Sequence, residues 1–238
     1  MALPINATPV YTLTIPSTKQ EVKYRPFLVK EEKALLIAQQ SSDETVMIDT
    51  LKNILKDCIK SSDVNVDKLA MFDIEYIFAQ VRAKSVGELV ELIFKCDTCE
   101  DEKAKVKITF DLTDLNVEFP EGHKNQIELF DGVGVQMKYP DLALLKKAKD
   151  AKIEDVNQVF DVVIDCIDFI YTAEEVFHAK EQSRAELMQF IENLTSEQFA
   201  KIQQFFETMP KLKQAVDYKC PVCNKDHHKY LEGINSFF

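Results

Sequence analysis

The sequence predicts an α+β fold, a helical layer with a β-region, and three observations lead to this prediction. Apolar residues recur at helical spacing in several long segments, whereas other segments alternate apolar and polar residues as strands do. The 238 residues, 46% of them hydrophobic, are sufficient for a large core. A unit of strand, Cys-x-x-Cys (CxxC) turn and strand occurs twice, at 86–112 and at 211–234.

The N-terminal part combines a hairpin with helices. Alternation around residues 11–15 and 22–24 predicts a β-hairpin or a short arm within residues 1–30. Helical spacing of apolar residues then predicts three helices, at 31–40, 45–59 and 68–85, the last capped by Asp67. We expect residues 31–238 to form a single α+β domain.

The middle of the chain is expected to be rich in strands. Alternating apolar residues predict strands at 86–96, 103–112, 126–130 and 133–139. Asp131-Gly132 lies between the last two of these strands and predicts a tight turn.

Helical signals return at about 140–208, a segment that we interpret as a helical insertion. Two helices are predicted here from apolar spacing, one directly after Pro140 and one over 156–172. Capping boxes predict further helix starts, namely Thr172 with Glu175, Ser183 with Glu186 and Thr195 with Gln198.

The strongest chemical signal is the pair of CxxC motifs, Cys96/Cys99 and Cys220/Cys223. A CxxC at the tip of a hairpin presents two thiolates on one side of a metal, and two such knuckles supply the four sulfurs of a tetrahedral Zn²⁺ site. We therefore predict that 86–112 and 211–234 form a split zinc ribbon around one Zn²⁺. Four protein sulfurs leave no open position for water or a substrate, so a structural role is expected.

Alternatives to this shared site stay open. His227 or His228 could replace a cysteine or bind a separate metal, although we expect both to be polar residues facing solvent. The thiols could also be reduced and unpaired at two β-turns. A thioredoxin-like redox role is disfavoured, because such motifs act from a helix N-terminus. The other two cysteines, Cys58 and Cys166, lie on apolar helix faces and are expected in the core.

Composition and motifs disfavour several classes of function. The formal net charge of −11 argues against nucleic-acid binding, because neutralising phosphates needs clustered Lys and Arg. No apolar run approaches the roughly 20 residues of a membrane span, and no basic segment precedes an apolar run at the N-terminus, so neither a span nor a secretory signal is expected. The GxSxG, Walker A and HExxH motifs are absent, and neither His123 nor His178 has a nucleophile nearby in sequence. We expect no enzymatic activity.

Four segments carry a resemblance to a known family. They are KYRPFLVKEEKALL at 23–36, DKLAMFDIEYIF at 67–78, RAKSVGE at 82–88 and LEGINSFF at 231–238. With these runs the sequence resembles, over nearly its whole length, the baseplate hub proteins of T-even-type contractile-tailed phages. The resemblance implies a non-enzymatic role in building or forming the central hub below the tail tube, with other hub and tail proteins as partners.

Three functions stay open at this point. The first is a hub assembly or structural protein that acts through protein–protein contacts, in the host cytoplasm during assembly and in the tail baseplate if the virion retains it. The second is a tail assembly chaperone for hub or tape-measure proteins that is absent from the mature virion. The third, from another class, is a zinc-ribbon nucleic-acid adaptor, against which the acidity argues. The sequence indicates no oligomeric state.

The charged residues of the first resembling run have two interpretations. Arg25, Glu31 and Lys33 could belong to a surface that faces a partner, or they could form internal salt bridges and caps. The two phenylalanines at the end of the chain, Phe237 and Phe238, are expected to pack against the zinc ribbon or against a partner.

Overall fold

The computed structural model describes residues 7–41, 44–99, 101–144 and 156–233, and contains both helices and sheets. The helices are α1 Val29–Gln40, α2 Glu44–Cys58, α3 Met71–Ser85, α4 Val156–Asp165, α5 Arg184–Glu192 and α6 Ser196–Glu207. The strands are β1 Tyr11–Thr14, β2 Glu21–Tyr24, β3 Leu89–Lys95, β4 Lys105–Asp111, β5 Asn116–Glu118, β6 Gln126–Phe130, β7 Val133–Met137, β8 Ile167–Tyr171, β9 Val176–His178, β10 Lys211–Lys219 and β11 Asp226–Glu232. The α+β class expected from the sequence is confirmed.

Internal contacts divide the chain into two compact units. The first unit comprises Met1–Val66, Phe72–Glu118 and Lys211–Phe238, and the second comprises Asp67–Met71 and Phe119–Pro210. The sequence predicts an arm at 1–30 and one domain over 31–238 instead. A compact unit is not by itself an independently folding domain. The predicted arm and single domain therefore stay a prediction.

The first unit begins with the predicted hairpin, which is confirmed. β1 and β2 pair antiparallel, with Leu13 opposite Val22. The side chains of these two residues are buried because alternate positions on each strand face the core. Asp73 on α3 accepts hydrogen bonds from the backbone N–H and the hydroxyl of Ser17, which anchors the turn of the hairpin.

A buried ion pair fixes the start of α1. Arg25 Nη2 donates to Glu31 Oε1 over 2.8 Å, and Glu31 Oε2 accepts from the backbone N–H of Leu28 over 2.7 Å. Both charged side chains are buried, whereas Lys30 beside them is largely exposed. Of the two interpretations of these charges, internal salt bridge and cap therefore hold for Arg25 and Glu31.

Two separate sheets of the first unit carry the predicted CxxC hairpins. β3 pairs antiparallel with β4, and β10 pairs antiparallel with β11, as the sequence predicts. β5, which has no counterpart among the predicted strands, pairs with the start of β10 and gives a three-stranded sheet in the order β11-β10-β5.

The second unit is built on a four-stranded antiparallel sheet in the order β6-β7-β8-β9. Asp131 and Gly132 both have positive φ, 37° and 76°, so the tight turn predicted between β6 and β7 is confirmed. Side chains from this sheet and from α4, α5 and α6 form one core, which includes Val135, Ile167 and Ile202.

The helix predicted over 156–172 is wrong in its second half. α4 ends at Asp165, and Ile167–Tyr171 forms β8, which pairs with β7 on one side and with β9 on the other. This segment is rich in β-branched and aromatic residues, which favour a strand, and its pairing on both edges overrides the helical spacing of its apolar residues. The segment interpreted as a helical insertion thus contains strands as well as helices.

One of the three capping boxes does not start a helix. Thr172 Oγ1 accepts from the backbone N–H groups of Glu174 and Glu175, but it does so in the turn between β8 and β9. Ser183 and Thr195 cap α5 and α6 as predicted. Of the helix predicted after Pro140, residues 145–150 lie outside the described residues, as do the terminal residues Phe237 and Phe238.

Candidate metal centre

Each CxxC motif forms a turn between two antiparallel strands. Cys96 follows β3 and donates its backbone N–H to Ala104 O, while Cys220 follows β10 and donates to Lys225 O, both over 2.9 Å. In the first turn the backbone N–H of Thr98 points at Cys96 Sγ over 3.5 Å, and in the second that of Val222 points at Cys220 Sγ over 3.4 Å. The two turns thus present their first sulfur in the same way.

The structure brings all four predicted ligands together. The sulfurs of Cys96, Cys99, Cys220 and Cys223 lie within 4.8 Å of one another. The Cys96–Cys223 and Cys99–Cys220 sulfur pairs are 3.8 and 3.9 Å apart. A tetrahedral Zn²⁺ with Zn–S bonds of about 2.3 Å requires sulfurs about 3.8 Å apart, whereas a disulfide requires about 2.05 Å. The donor set and its spacing therefore fit Zn²⁺.

Contacts between the two hairpins support the cluster. Tyr218 donates its hydroxyl to the carbonyl of Lys95 over 2.9 Å, and its ring lies 5.3 Å from that of Phe94. Lys229 on β11 forms an ion pair of 2.8 Å with Asp97 inside the first CxxC turn. These contacts join the two hairpins in addition to the sulfurs.

The thiols of the cluster differ in acidity. Hydrogen bonds from the Thr98 hydroxyl and backbone lower the pKa of the Cys96 thiol to about 5, which favours a thiolate at neutral pH. The backbone N–H of Lys225 likewise lowers the pKa of Cys223. The contact with Cys223 raises the pKa of Cys99 to about 12, because neighbouring thiolates repel each other. A dication among the sulfurs would relieve this repulsion.

The expectation that both histidines after the second CxxC face solvent is wrong for His227. Its side chain is buried, its Nε2 lies 3.2 Å from Cys96 Sγ, and its ring stacks on that of Tyr218 with centroids 4.8 Å apart. His228 is half exposed and pairs with Asp217. The residues alternate along β11, so one histidine faces the cluster and the next faces away from it.

A comparison with known proteins identifies the family of this chain. The family described as "T4 bacteriophage base plate protein" matches residues 8–238. This chain belongs to that family. The baseplate hub assembly protein gp26 of Enterobacteria phage T4 is similar to the base plate protein described here, with 24% identity over 221 residues, which cover 91% of this chain and 92% of the T4 protein. No solved structure gives a significant match.

The remaining two cysteines of this base plate protein are packing residues, as the sequence predicts, but Cys166 lies in the turn between α4 and β8 and not on a helix face. Cys58 and Cys166 are buried, and neither forms a disulfide. Burial raises the pKa of Cys58 to about 11 and that of Cys166 to about 12, so both thiols stay protonated at neutral pH.

The two histidines considered for catalysis make structural contacts in this base plate protein. His123 Nδ1 lies 2.9 Å from the hydroxyl of Thr208, and its Nε2 lies 3.0 Å from that of Tyr139. Burial lowers the pKa of His123. The ring of His178 packs edge-on against Phe169, with centroids 5.8 Å apart. Across the described residues, no helix has both the length and the apolar character that a membrane crossing needs.

Proposed function

We propose that this base plate protein is an assembly or structural protein of a phage baseplate hub that acts through contacts with other hub and tail proteins. One observation carries the proposal, namely that the match to the T4 hub assembly protein covers 91% of this chain and 92% of that protein. A match over nearly both full lengths favours a shared role of the whole protein over a shared module. The chain acts in the host cytoplasm during assembly and in the tail baseplate of the virion.

The charge and the candidate site support a role in protein contacts. A net charge of −11 disfavours a zinc-ribbon nucleic-acid adaptor, because DNA and RNA are polyanions. The cysteine cluster has four sulfurs within 4.8 Å, which would fill the coordination of a tetrahedral metal and leave no position for a substrate. The role that we propose is therefore non-enzymatic.

We also propose that the cysteine cluster holds one structural Zn²⁺. Cys96, Cys99, Cys220 and Cys223 would be its ligands, and the metal would supply a cross-link between two hairpins that are far apart in sequence. Such a cross-link adds its binding free energy to folding, because the ligand set does not exist in the unfolded chain.

An experiment in infected cells tests the proposed function. An affinity-tagged chain is expressed from the phage genome, and the proteins that copurify with it are identified by mass spectrometry. We expect recovery of baseplate hub proteins, and we expect the untagged chain in purified virions. Copurification of nucleic acid at physiological salt in place of hub proteins would contradict the proposal.

A tail assembly chaperone is the second candidate, because the T4 relative is named as a hub assembly protein. The two candidates differ in one measurement. A chaperone would copurify with hub intermediates from cells but would be missing from purified virions, whereas a structural protein would be present in both.

Metal analysis tests the proposed Zn²⁺. We expect about one Zn²⁺ per chain of purified protein, and we expect Cys220→Ser to lose it and to unfold at a lower temperature, since a ligand is removed. Cys166→Ala is the matched control, because it removes a buried thiol outside the cluster and should keep the metal. Absence of metal in the wild type, or full occupancy in Cys220→Ser, would refute the shared site.

A further inference from the structure

We propose that His227 is a positioning residue of the cysteine cluster, which holds the Cys96 thiolate by donating its Nε2–H to the sulfur and thereby slows release of the metal. This inference rests on the proposed Zn²⁺ site.

The first argument is the direction of the hydrogen bond. His227 Nε2 lies 3.2 Å from Cys96 Sγ, within reach of an N–H···S bond. A metal-bound thiolate has no proton and can only accept. The proton of this contact must therefore be carried by His227 Nε2, which fixes the ring as a donor toward the sulfur.

The second argument is that the surroundings fix the orientation of the ring. The imidazole of His227 stacks on Tyr218 with an interplanar angle of 12°. Its Nδ1 lies 3.9 Å from Asp97 Oδ2, beyond hydrogen-bond distance. Asp97 is itself held by Lys229. Burial and stacking restrict the rotamers of the ring and keep Nε2 close to Cys96.

The third argument is an asymmetry among the four sulfurs. Cys96 is buried and lies 3.1 Å from the hydroxyl of Thr98 in addition to His227, whereas Cys223 is exposed. Donors withdraw electron density from a thiolate and make it a weaker target for protons and electrophiles. Attack on the cluster is therefore expected at Cys223 before Cys96.

The test uses the full-length zinc-loaded protein and two pairs of variants. His227→Leu removes the donor and keeps apolar bulk, and His228→Leu makes the same change at the neighbouring histidine that faces away from the cluster. His227→Gln and His227→Asn form the second pair. Both are amides, but only the glutamine is long enough to place an N–H where Nε2 stands.

Three quantities are measured on each variant. They are the zinc content at equilibrium, the rate of zinc transfer to a competing chelator, and the order in which iodoacetamide alkylates the four cysteines. We expect transfer to accelerate about tenfold or more in His227→Leu and His227→Asn, because loss of an outer-sphere partner typically lowers metal affinity by about 10- to 100-fold. The delay between alkylation of Cys223 and alkylation of Cys96 should also shorten. His227→Gln and His228→Leu should stay close to the wild type.

Several outcomes would overturn the inference. Equal transfer rates in His227→Leu and His228→Leu would show that the contact has no effect, and equal acceleration in the glutamine and asparagine variants would assign the effect to packing. A loss of zinc from His227→Leu as complete as that from Cys220→Ser would make His227 a ligand. Wild-type protein without zinc would refute the proposed site itself, and that result is seen before any variant is made.

Discussion

At the residue scale, the ion pair between Arg25 and Glu31 shows how charges are retained inside this protein. Burial alone would raise the pKa of Glu31, but hydrogen bonds from Arg25 and from the backbone of Leu28 lower it to about 2. The carboxylate therefore stays charged. It accepts hydrogen bonds from the Arg25 guanidinium and from the backbone N–H of Leu28, the residue before α1. Removing one charge of such a pair is destabilising, because the other charge would be left buried without a counter-ion.

Glu31→Gln is expected to lower the free energy of unfolding by about 3 kcal/mol, because it leaves the Arg25 guanidinium buried without its counter-ion. Glu32→Gln is the matched control, since Glu32 lies on the same turn of α1 with its side chain exposed. Chemical denaturation of both variants measures the difference. Equal stability of the two variants would contradict the prediction.

The same ion pair gives a pH dependence. The pKa of Glu31 is lowered in the folded protein from its ordinary value of 4.5, so its stabilising contribution is complete above that value and is lost as the pH falls toward about 2. The stability difference between wild type and Glu31→Gln should therefore shrink between about pH 5 and pH 2. Denaturation at a series of pH values measures it, and a difference that grows on acidification would have the wrong sign.

At the element scale, a hydroxyl residue followed three positions later by a glutamate or glutamine can start a helix or close a turn between two strands. Ser183 and Thr172 are each followed by a glutamate three residues on. Ser183 Oγ accepts from the backbone of Glu186 and starts α5, whereas Thr172 closes the turn between β8 and β9. The strands on either side decide which structure forms.

Ser183→Ala is expected to destabilise the second unit by about 1 kcal/mol, because the first turn of α5 loses its side-chain acceptor. Hydrogen exchange should speed up in the first turn of α5. Thr172→Ala is the comparison, and it should speed exchange only at Glu174 and Glu175. Faster exchange at the start of α5 in Thr172→Ala would contradict the assignment of the two motifs.

Elements that depend on local signals could be predicted from the sequence, and those that depend on distant partners could not. Each CxxC turn can be predicted from a short continuous segment, and the sequence predicts both turns between the correct strands. β8 is different, because its apolar spacing fits a helix and only its pairing with β7 and β9 makes it a strand. The position of His227 could be found only from the register of β10 with β11, in which it lies opposite Tyr218.

At the scale of the whole molecule, the cysteine cluster belongs entirely to the first of the two compact units. The second unit has a core of its own, to which strands β6–β8 and helices α4–α6 contribute. A metal in the cluster would therefore act directly on the stability of one unit.

Removal of metal by a chelator is expected to expose one unit selectively. Hydrogen exchange followed by mass spectrometry should show loss of protection in peptides from β3, β4, β10 and β11, because their cross-link is gone. Peptides from β6, β7, α5 and α6 should keep their protection. Uniform loss across the chain would contradict a metal effect confined to the first unit.

The separation of the two CxxC turns also has a consequence for the order of events during synthesis. Cys99 and Cys220, whose sulfurs meet in the folded protein, are 121 residues apart. At translation rates of about 5 to 20 residues per second, the first pair of thiols leaves the ribosome about 6 to 24 s before the second. For that interval the nascent chain carries half of a site, and the four-sulfur cluster can form only once the second hairpin has been made.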